Sequence, residues 1–500
     1  MSRVDKAAII DIGSNSCRMV IYECSGHSIL PYFNEKTMAG LGRGLSETGR
    51  LSVDGYRLAL ETMHRFRAIL EGLNVENTTA VATAAVREAL DGDVFCRDAE
   101  AALGIPVRVL SGVEEGQLSA AGVGYGFGAD SGLVADMGGT SMELHTLAPT
   151  APRGETFALG PLASVSLRRK SEADQKRAIK KLLGESKLLK TEGPLYLVGG
   201  GWRNLALVHM LLHNYPLRVV QAYRLSEDGV KFVRRQLKQA TEKPKLRQAI
   251  QSVSKKRYDS LAHVALVLDC LMDMSGQQEA VISAYGLREG VIAQGQQLAA
   301  DQNVLDAVPH QFHLTNQACS FGAALFEFSK PLHAELGQSE QTLERVCLMA
   351  EAGTRLHPDH RADLIFEHVL RAPLPQLTHP QRLFAALAVA SRNTYKFRVS
   401  EELQMLSSSN LMQDARIFGT LMRLASVYSG RSAELLQTAR LSLTQEKLIL
   451  NVLESDVNLI SETVHRRLTQ LANLVGRKPG ILSVTDRDVA PRSTPIIQTV

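Results

Sequence analysis

Two carboxylates, Asp136 and Glu143, flank the small-residue turn Gly138-Gly139-Thr140-Ser141 in the stretch GLVADMGGTSMELHT. An apolar run ends in an acid, crosses the turn and resumes, which predicts a strand, a tight turn and a second strand. The turn has little bulk, so backbone N–H groups can approach an anion and the Thr140 and Ser141 hydroxyls can add hydrogen bonds, as a phosphate requires. Hard carboxylate oxygens at its edges suit a magnesium ion, bound directly or through its waters. One such hairpin is also a common structural turn. The segment AAIIDIGSNSCRMVIYE, however, repeats the pattern with Asp11, Gly13 and Ser14-Asn15-Ser16, its acid 125 residues before Asp136. Two copies at domain-sized separation predict a duplicated architecture in which each half brings one phosphate-binding hairpin to a shared cleft.

Further candidates lie between and after the hairpins. In TTAVATAAVREAL, Thr83 is placed as the N-cap of a helix, so Arg87 falls in the first turn, where its guanidinium fork can meet an anion; pairing with Glu88 is the plainer reading. In PVRVLSGVEEGQLS, Ser111 and Glu114 fit a capping box. That occupies Glu114 and leaves Glu115, which the helix dipole is expected to keep ionised and able to orient and deprotonate a water; simple favourable charge at a helix start is the alternative. VGGGWRN places a third glycine turn, Gly199 to Gly201, before an amphipathic helix, without a P-loop lysine. AGLGRGLSETG lacks a surrounding βα unit and reads as a flexible surface loop. His357, His360, His368 and His379 are not joined by acids in a metal-ligand pattern and read as surface or core residues.

The elements that must position these residues follow from composition and periodicity. A chain of 500 residues exceeds one hydrophobic core, and 45% apolar with 22% charged residues is ordinary for a globular protein. Six scattered cysteines without C-x-x-C spacing indicate reduced thiols and a cytoplasmic location. Asp11 interrupts the N-terminal apolar run, and no segment is long and apolar enough for a bilayer, so neither export nor membrane insertion is expected. The windows 165–190 and 231–257 carry +6 and +9, leaving −11 for the remainder of a chain whose net charge is +4. One basic region inside an acidic protein reads equally as solvated helix faces or as a polyanion-binding surface. Apolar spacing predicts a buried helix face over 56–73. From about residue 301 helix follows helix; from Ala439 two strands, a helix and the strand GILSV form a small α+β end, and the last residues read as a loose tail.

The motifs IDIGSNSCRMVI, ATAAVREA, LSGVEEG, VADMGGTSMEL, VGGGWRN and YGLREGVI, in this order through the first 300 residues, closely resemble the exopolyphosphatase and guanosine pentaphosphate phosphohydrolase family of the actin, Hsp70 and sugar-kinase superfold. The resemblance implies an α/β chain with two ribonuclease-H-like (actin-like ATPase) domains flanking a cleft, at 1–131 and 132–300. An all-α HD-like domain (301–435), a small α+β domain (436–485) and a tail (486–500) follow. It implies magnesium-dependent release of terminal orthophosphate from inorganic polyphosphate by in-line attack of water, and a homodimer. By motif matching, Glu115 takes the catalytic-base position, Asp136 and Glu143 the magnesium-associated acids and Arg87 the phosphate clamp. Ser14, Asn15, Ser16, Gly138, Gly139, Thr140 and Ser141 would bind the reacting phosphates, and Lys255, Lys256 and Arg257 in the basic region would track the rest of the substrate. The chain departs from the family where Thr140 replaces a third glycine, where VGGGWRN replaces a glycine-threonine turn, and in an incomplete HD metal pattern, so no second hydrolytic centre is expected. Alternatives are a guanosine pentaphosphate 5'-phosphohydrolase, an ATP-dependent phosphotransferase of the same superfold and a non-enzymatic actin-like filament subunit. Nucleic acid is a poor partner for a chain with 5% aromatic residues and no nucleic-acid-binding motif.

Overall fold

The apolar alternation of AAIIDI and CRMVIYE pairs β1 (Asp5–Ile12) with β2 (Cys17–Ser25) as an antiparallel hairpin, extended by β3 (Ser28–Thr37). The computed structural model describes residues 5–148, 152–162, 165–296 and 305–485. Helical crossovers return the chain to β4 (Asn77–Ala82) and β5 (Val107–Val109), both parallel to β1, giving the sheet order β3-β2-β1-β4-β5. Ile10, Met19, Phe66 and Phe95 fill the core between this sheet and its helices.

The second sheet contains β6 (Gly132–Met137), β7 (Met142–Leu147), β8 (Gly154–Phe157), β9 (Leu195–Val198), β10 (Arg224–Ser226) and β11 (Glu279–Ile282). Its order is β10-β11-β9-β6-β7-β8. The run β8-β7-β6-β9-β11 repeats the first sheet strand for strand, with the same antiparallel and parallel pairings, and β10 adds an antiparallel edge. The duplication inferred from two hairpins is therefore a duplication of whole sheets, as two ribonuclease-H-like domains require. Leu133, Leu144, Leu197 and Trp202 belong to the second core.

The helices Gly112–Phe127 and Leu287–Gly295 cross at glycines and carry side chains to both sheets. A Cβ on Gly290 would lie 1.8 Å from the Leu118 carbonyl oxygen, and one on Gly122 2.1 Å from that of Gly286. Ala120 and Val123 pack with the second sheet, whereas Leu118, Leu287 and Val291 pack with Val81 of the first. Because this crossing is backbone against backbone, Gly290→Ala must part the helices. It is expected to cost about 1–3 kcal/mol, the range for forced overpacking, read as a lower midpoint in urea denaturation.

Packing divides the described chain into residues 5–296 with 375–378, and residues 305–374 with 379–485. The latter unit is built from helices including Asn316–Ser329, Arg361–Arg371, His379–Asn393 and Ser409–Ser429. It ends in a three-stranded sheet, β12 (Ala439–Leu443), β13 (Lys447–Leu453) and β14 (Lys478–Val484), with the helix Glu462–Leu474 between the last two strands. The expected tail at 486–500 and the boundary at 300/301 lie outside the described residues. No helix among the described residues is long and apolar enough to cross a membrane. All six cysteines are free thiols.

One local reading needs correction. The glycine-rich stretch beginning at Gly40 is no flexible surface loop: Ala39 to Gly42 are buried. The amides of Gly40 and Gly42 donate to the carbonyl oxygens of Asn15 and Ser14 at 3.1 and 2.8 Å. Its glycines let the chain press on the β1–β2 turn; a Cβ on Gly42 would stand 3.0 Å from the Ser14 Cβ.

Candidate active site

The two glycine turns close in the same way. Gly13 N–H donates to the Ser16 carbonyl oxygen at 3.0 Å, and Gly138 N–H to that of Ser141 at 3.0 Å. Register places Asp11 opposite Arg18 in the first hairpin and Asp136 opposite Glu143 in the second. Directly opposed residues share a sheet face, with Cβ atoms about 5 Å apart. The turns meet: Ser14 Oγ and Thr140 Oγ1 are 3.2 Å apart. Thr140, the departure from glycine, therefore gains a hydrogen bond with its hydroxyl. Gly139 and Gly160 make room for this approach, since a Cβ on Gly139 would lie 2.8 Å from the Ser14 Cβ and one on Gly160 2.4 Å from the Thr140 carbonyl carbon.

Beneath the turns lies a cleft of about 360 Å³. Ser14, Asn15, Ser16, Glu115, Asp136, Gly138, Gly139, Lys256 and Arg257 line it, whereas Arg87, Thr140, Ser141, Glu143 and Lys255 do not. The capping box is present: Glu114 N–H donates to Ser111 Oγ at 3.2 Å, and Ser111 N–H donates to Glu114 Oε2 at 2.9 Å. These backbone and hydroxyl bonds, with Arg108, hold the Glu114 carboxyl down at about 2. Glu115 is thereby left to face the cleft, but its electrostatics differ from the sequence reading. It is 6% exposed. Burial, reinforced by the Asp136 carboxylate and opposed by Arg87, pushes it up to about 8. Desolvation of a carboxylate outweighs a helix dipole that is worth only about 0.3–1 kcal/mol at an exposed site.

Arg87 also departs from expectation. Its helix, Ala84–Glu88, is a single turn, and the Thr83 side chain does not cap it. Arg87 Nη1 donates to the Leu110 carbonyl oxygen at 2.6 Å and lies 3.5 Å from Glu115 Oε2, while Glu88 is 4.0 Å away. Nη1 is thus engaged at Leu110 and Glu115, Nη2 pairs with Glu88 as the plainer reading had it, and Arg87 is not among the residues that line the cleft.

Asp136 accepts a hydrogen bond from Ser119 Oγ. Burial raises its pKa. Glu143 is 1% exposed, and both of its carboxylate oxygens, like Ser141 Oγ, have no hydrogen-bond partner among the described residues. Desolvation, then the Glu115 and Asp136 carboxylates, raise its pKa well above the usual range. Orphaned carboxylate oxygens beside a phosphate-type turn fit a hard cation. Among the described residues no three of His, Cys, Asp or Glu converge as a ligand set. Asp136 and Glu143 are the two carboxylates that could hold such a cation, with water and substrate oxygens completing its shell.

The cleft also gathers cations, and sequence reading missed most of them. Arg18, Lys36, Arg168, Arg203 and Arg288 join Lys256 and Arg257 there. Arg288 Nη1 donates to Asp11 Oδ2 at 3.0 Å, while Glu289 accepts from Tyr22 Oη at 2.5 Å, so the YGLREG segment ties its helix to the first hairpin. Burial and repulsion from Arg288 lower Arg203 to about 10. Arg257 lies over the third glycine turn, where a Cβ on Gly200 would stand 2.5 Å from its Nη2. A signal for Arg18 was available: it stands seven residues after Asp11, as Glu143 stands seven after Asp136.

The fold agrees with comparison to known proteins. Residues 20–297 match the model of the Ppx/GppA phosphatase family, and residues 316–482 match the exopolyphosphatase C-terminal model. The Aquifex aeolicus Ppx/GppA family member is 23% identical, with a TM-score of 0.51 over 59% of this chain and 98% of that one. An exopolyphosphatase from Cytophaga hutchinsonii is 22% identical, with a TM-score of 0.53 over 60% of this chain and 100% of that one. These two likenesses bear on the fold. Membership rests on the family model, which spans more than half of a chain whose paired glycine turns and buried carboxylates have the chemistry of phosphate hydrolysis, and by that match the protein belongs to the Ppx/GppA phosphatase family.

Proposed function

We propose that the protein is an exopolyphosphatase that removes terminal orthophosphate from inorganic polyphosphate with magnesium. The observation that carries this reading is the cleft's lining: two phosphate-type turns joined by the Ser14–Thr140 contact, buried carboxylates, and seven guanidinium and ammonium groups among the same residues. A terminal phosphoryl group fits the turns, and a polyanionic remainder fits these cations. Phosphoryl transfer is catalysed chiefly by positioning and charge neutralisation. Backbone amides of Ser14 to Ser16 and of Gly139 supply donors to the terminal phosphate. Glu115, paired with Arg87, orients water in line and accepts its proton. Magnesium at Asp136 and Glu143, when bound, would neutralise phosphoryl charge and keep the neighbouring carboxylates ionised.

Phosphate release from long polyphosphate, guanosine pentaphosphate and ATP, each with and without magnesium, tests the reading. Polyphosphate is expected to be the best substrate, with release lost in EDTA. Preference for guanosine pentaphosphate would select the 5'-phosphohydrolase instead, and transfer from ATP to an acceptor would select the phosphotransferase. The cleft's cations give a second test. Lys255→Ala, Lys256→Ala and Arg257→Ala together are expected to weaken long-chain binding severalfold at low ionic strength, with the difference from wild type shrinking as salt screens the groove. Titrations with long and short chains at two salt concentrations read this out; an equal effect on both chain lengths would contradict tracking of the chain.

A further inference from the structure

The helix Gly112–Phe127 brings more than Glu115 to the active site. Ser119 stands one turn further on, on the same face of that helix, and is fully buried. Serines and threonines inside a helix commonly hydrogen-bond the carbonyl four residues back. Thr62, Thr420 and Ser426 of this chain do so, donating to the carbonyl oxygens of Leu58, Arg416 and Met422 at 2.7, 2.8 and 2.8 Å. Ser119 Oγ instead donates out of its helix, to Asp136 Oδ2 on β6. The other Asp136 oxygen has a different setting, since a Cβ on Gly199 would lie 3.2 Å from Oδ1. Asp136 and Gly199 both line the cleft, whereas Ser119 does not. Gly116, on the same helix face, meets the neighbouring acid: a Cβ there would stand 3.4 Å from the Glu143 Cβ.

We propose that Ser119 is a positioning residue of the active site, whose hydroxyl fixes the carboxylate plane of Asp136 so that Oδ1 is presented to a cation in the cleft. The terminal torsion of an aspartate is broad when nothing holds it. A donor on one oxygen sets it, and hydrogen bonds of this kind behind a metal-binding carboxylate are worth about 10- to 100-fold in metal affinity. Glu115 and Ser119 share one helix, so the group that orients water and the group that orients the cation's carboxylate keep a fixed mutual geometry, as in-line attack requires. The inference rests on the reading of Asp136 as a cation-holding acid. It adds a residue that acts only through Asp136.

Thermal unfolding of the full chain without substrate, followed across a magnesium titration, tests it in Ser119→Ala, Ser119→Thr and Ser119→Val. Threonine and valine have nearly the same shape and differ in the hydroxyl, so comparing them cancels the effect of extra carbon at a buried position. The magnesium concentration giving half of the stabilising shift is expected to rise about 10-fold in Ser119→Ala and Ser119→Val, and to stay within about twofold of wild type in Ser119→Thr. Should the two larger side chains unfold the protein, Ser119→Ala decides alone. A midpoint in Ser119→Ala equal to that of wild type, or equal midpoints in Ser119→Thr and Ser119→Val, would overturn the positioning role and leave the cation reading standing. A lower melting temperature in EDTA with an unchanged magnesium midpoint marks a packing role and overturns it likewise. A wild type that magnesium does not stabilise removes the cation reading, and this inference with it.

Discussion

Glu115→Gln is expected to lower turnover by about 10²-fold or more, the scale of a lost general base, while leaving polyphosphate affinity within a few-fold of wild type. The substitution keeps the side-chain shape and an oxygen that can accept from Arg87, 3.5 Å away. It removes the proton acceptor. Because burial and Asp136 already favour the neutral form of Glu115 in the unliganded chain, the amide is not expected to destabilise the fold. The variant should therefore melt at or above the wild-type temperature. Phosphate release and equilibrium polyphosphate binding, measured on the same preparation, separate base removal from damage to the cleft. Turnover equal to wild type would remove Glu115 from the mechanism. A parallel loss of binding would make it a substrate contact.

Glu143→Gln is expected to abolish most magnesium-dependent activity for a different reason. Both Glu143 oxygens are buried without a hydrogen-bond partner among the described residues, opposite Asp136 on the hairpin. An amide there cannot supply the anionic oxygen that a hard cation prefers. Thermal unfolding distinguishes this role from simple packing. A ligand at 100 times its dissociation constant stabilises the folded state by about 2.7 kcal/mol, so magnesium should raise the wild-type melting temperature and leave that of the variant nearly unchanged. In EDTA the two proteins should melt within a narrow range, because the substitution changes little of the buried volume. An equal magnesium shift in both would place the cation elsewhere.

Local sequence carried the parts of the site that local physics controls. The two acid-glycine hairpins were legible because strand periodicity and small turn residues act over a few positions. The Ser111–Glu114 capping box was legible for the same reason, and by occupying Glu114 it singled out Glu115. The bond from Arg87 to the Leu110 carbonyl was not legible, because that carbonyl lies 23 residues away and is brought close only by the sheet. The Gly40 stretch was misread because its partners, the carbonyl oxygens of Ser14 and Asn15, belong to another turn. The cleft's cations were scattered over Arg18, Lys36, Arg203 and Arg288, with no common motif to gather them.

The sequence by itself determined the duplication and the residue types at each turn, since a strand, an acid and a glycine turn need only neighbouring residues to declare themselves. Only the tertiary structure decided which groups face one another and how they ionise. Glu115 illustrates the division: its place at a helix start follows from adjacent residues, whereas its pKa of about 8 follows from burial beside Asp136, on a strand that the chain reaches later. Desolvation depends on everything packed around a charge, and that is settled only when the two sheets and the glycine-crossed helices come together.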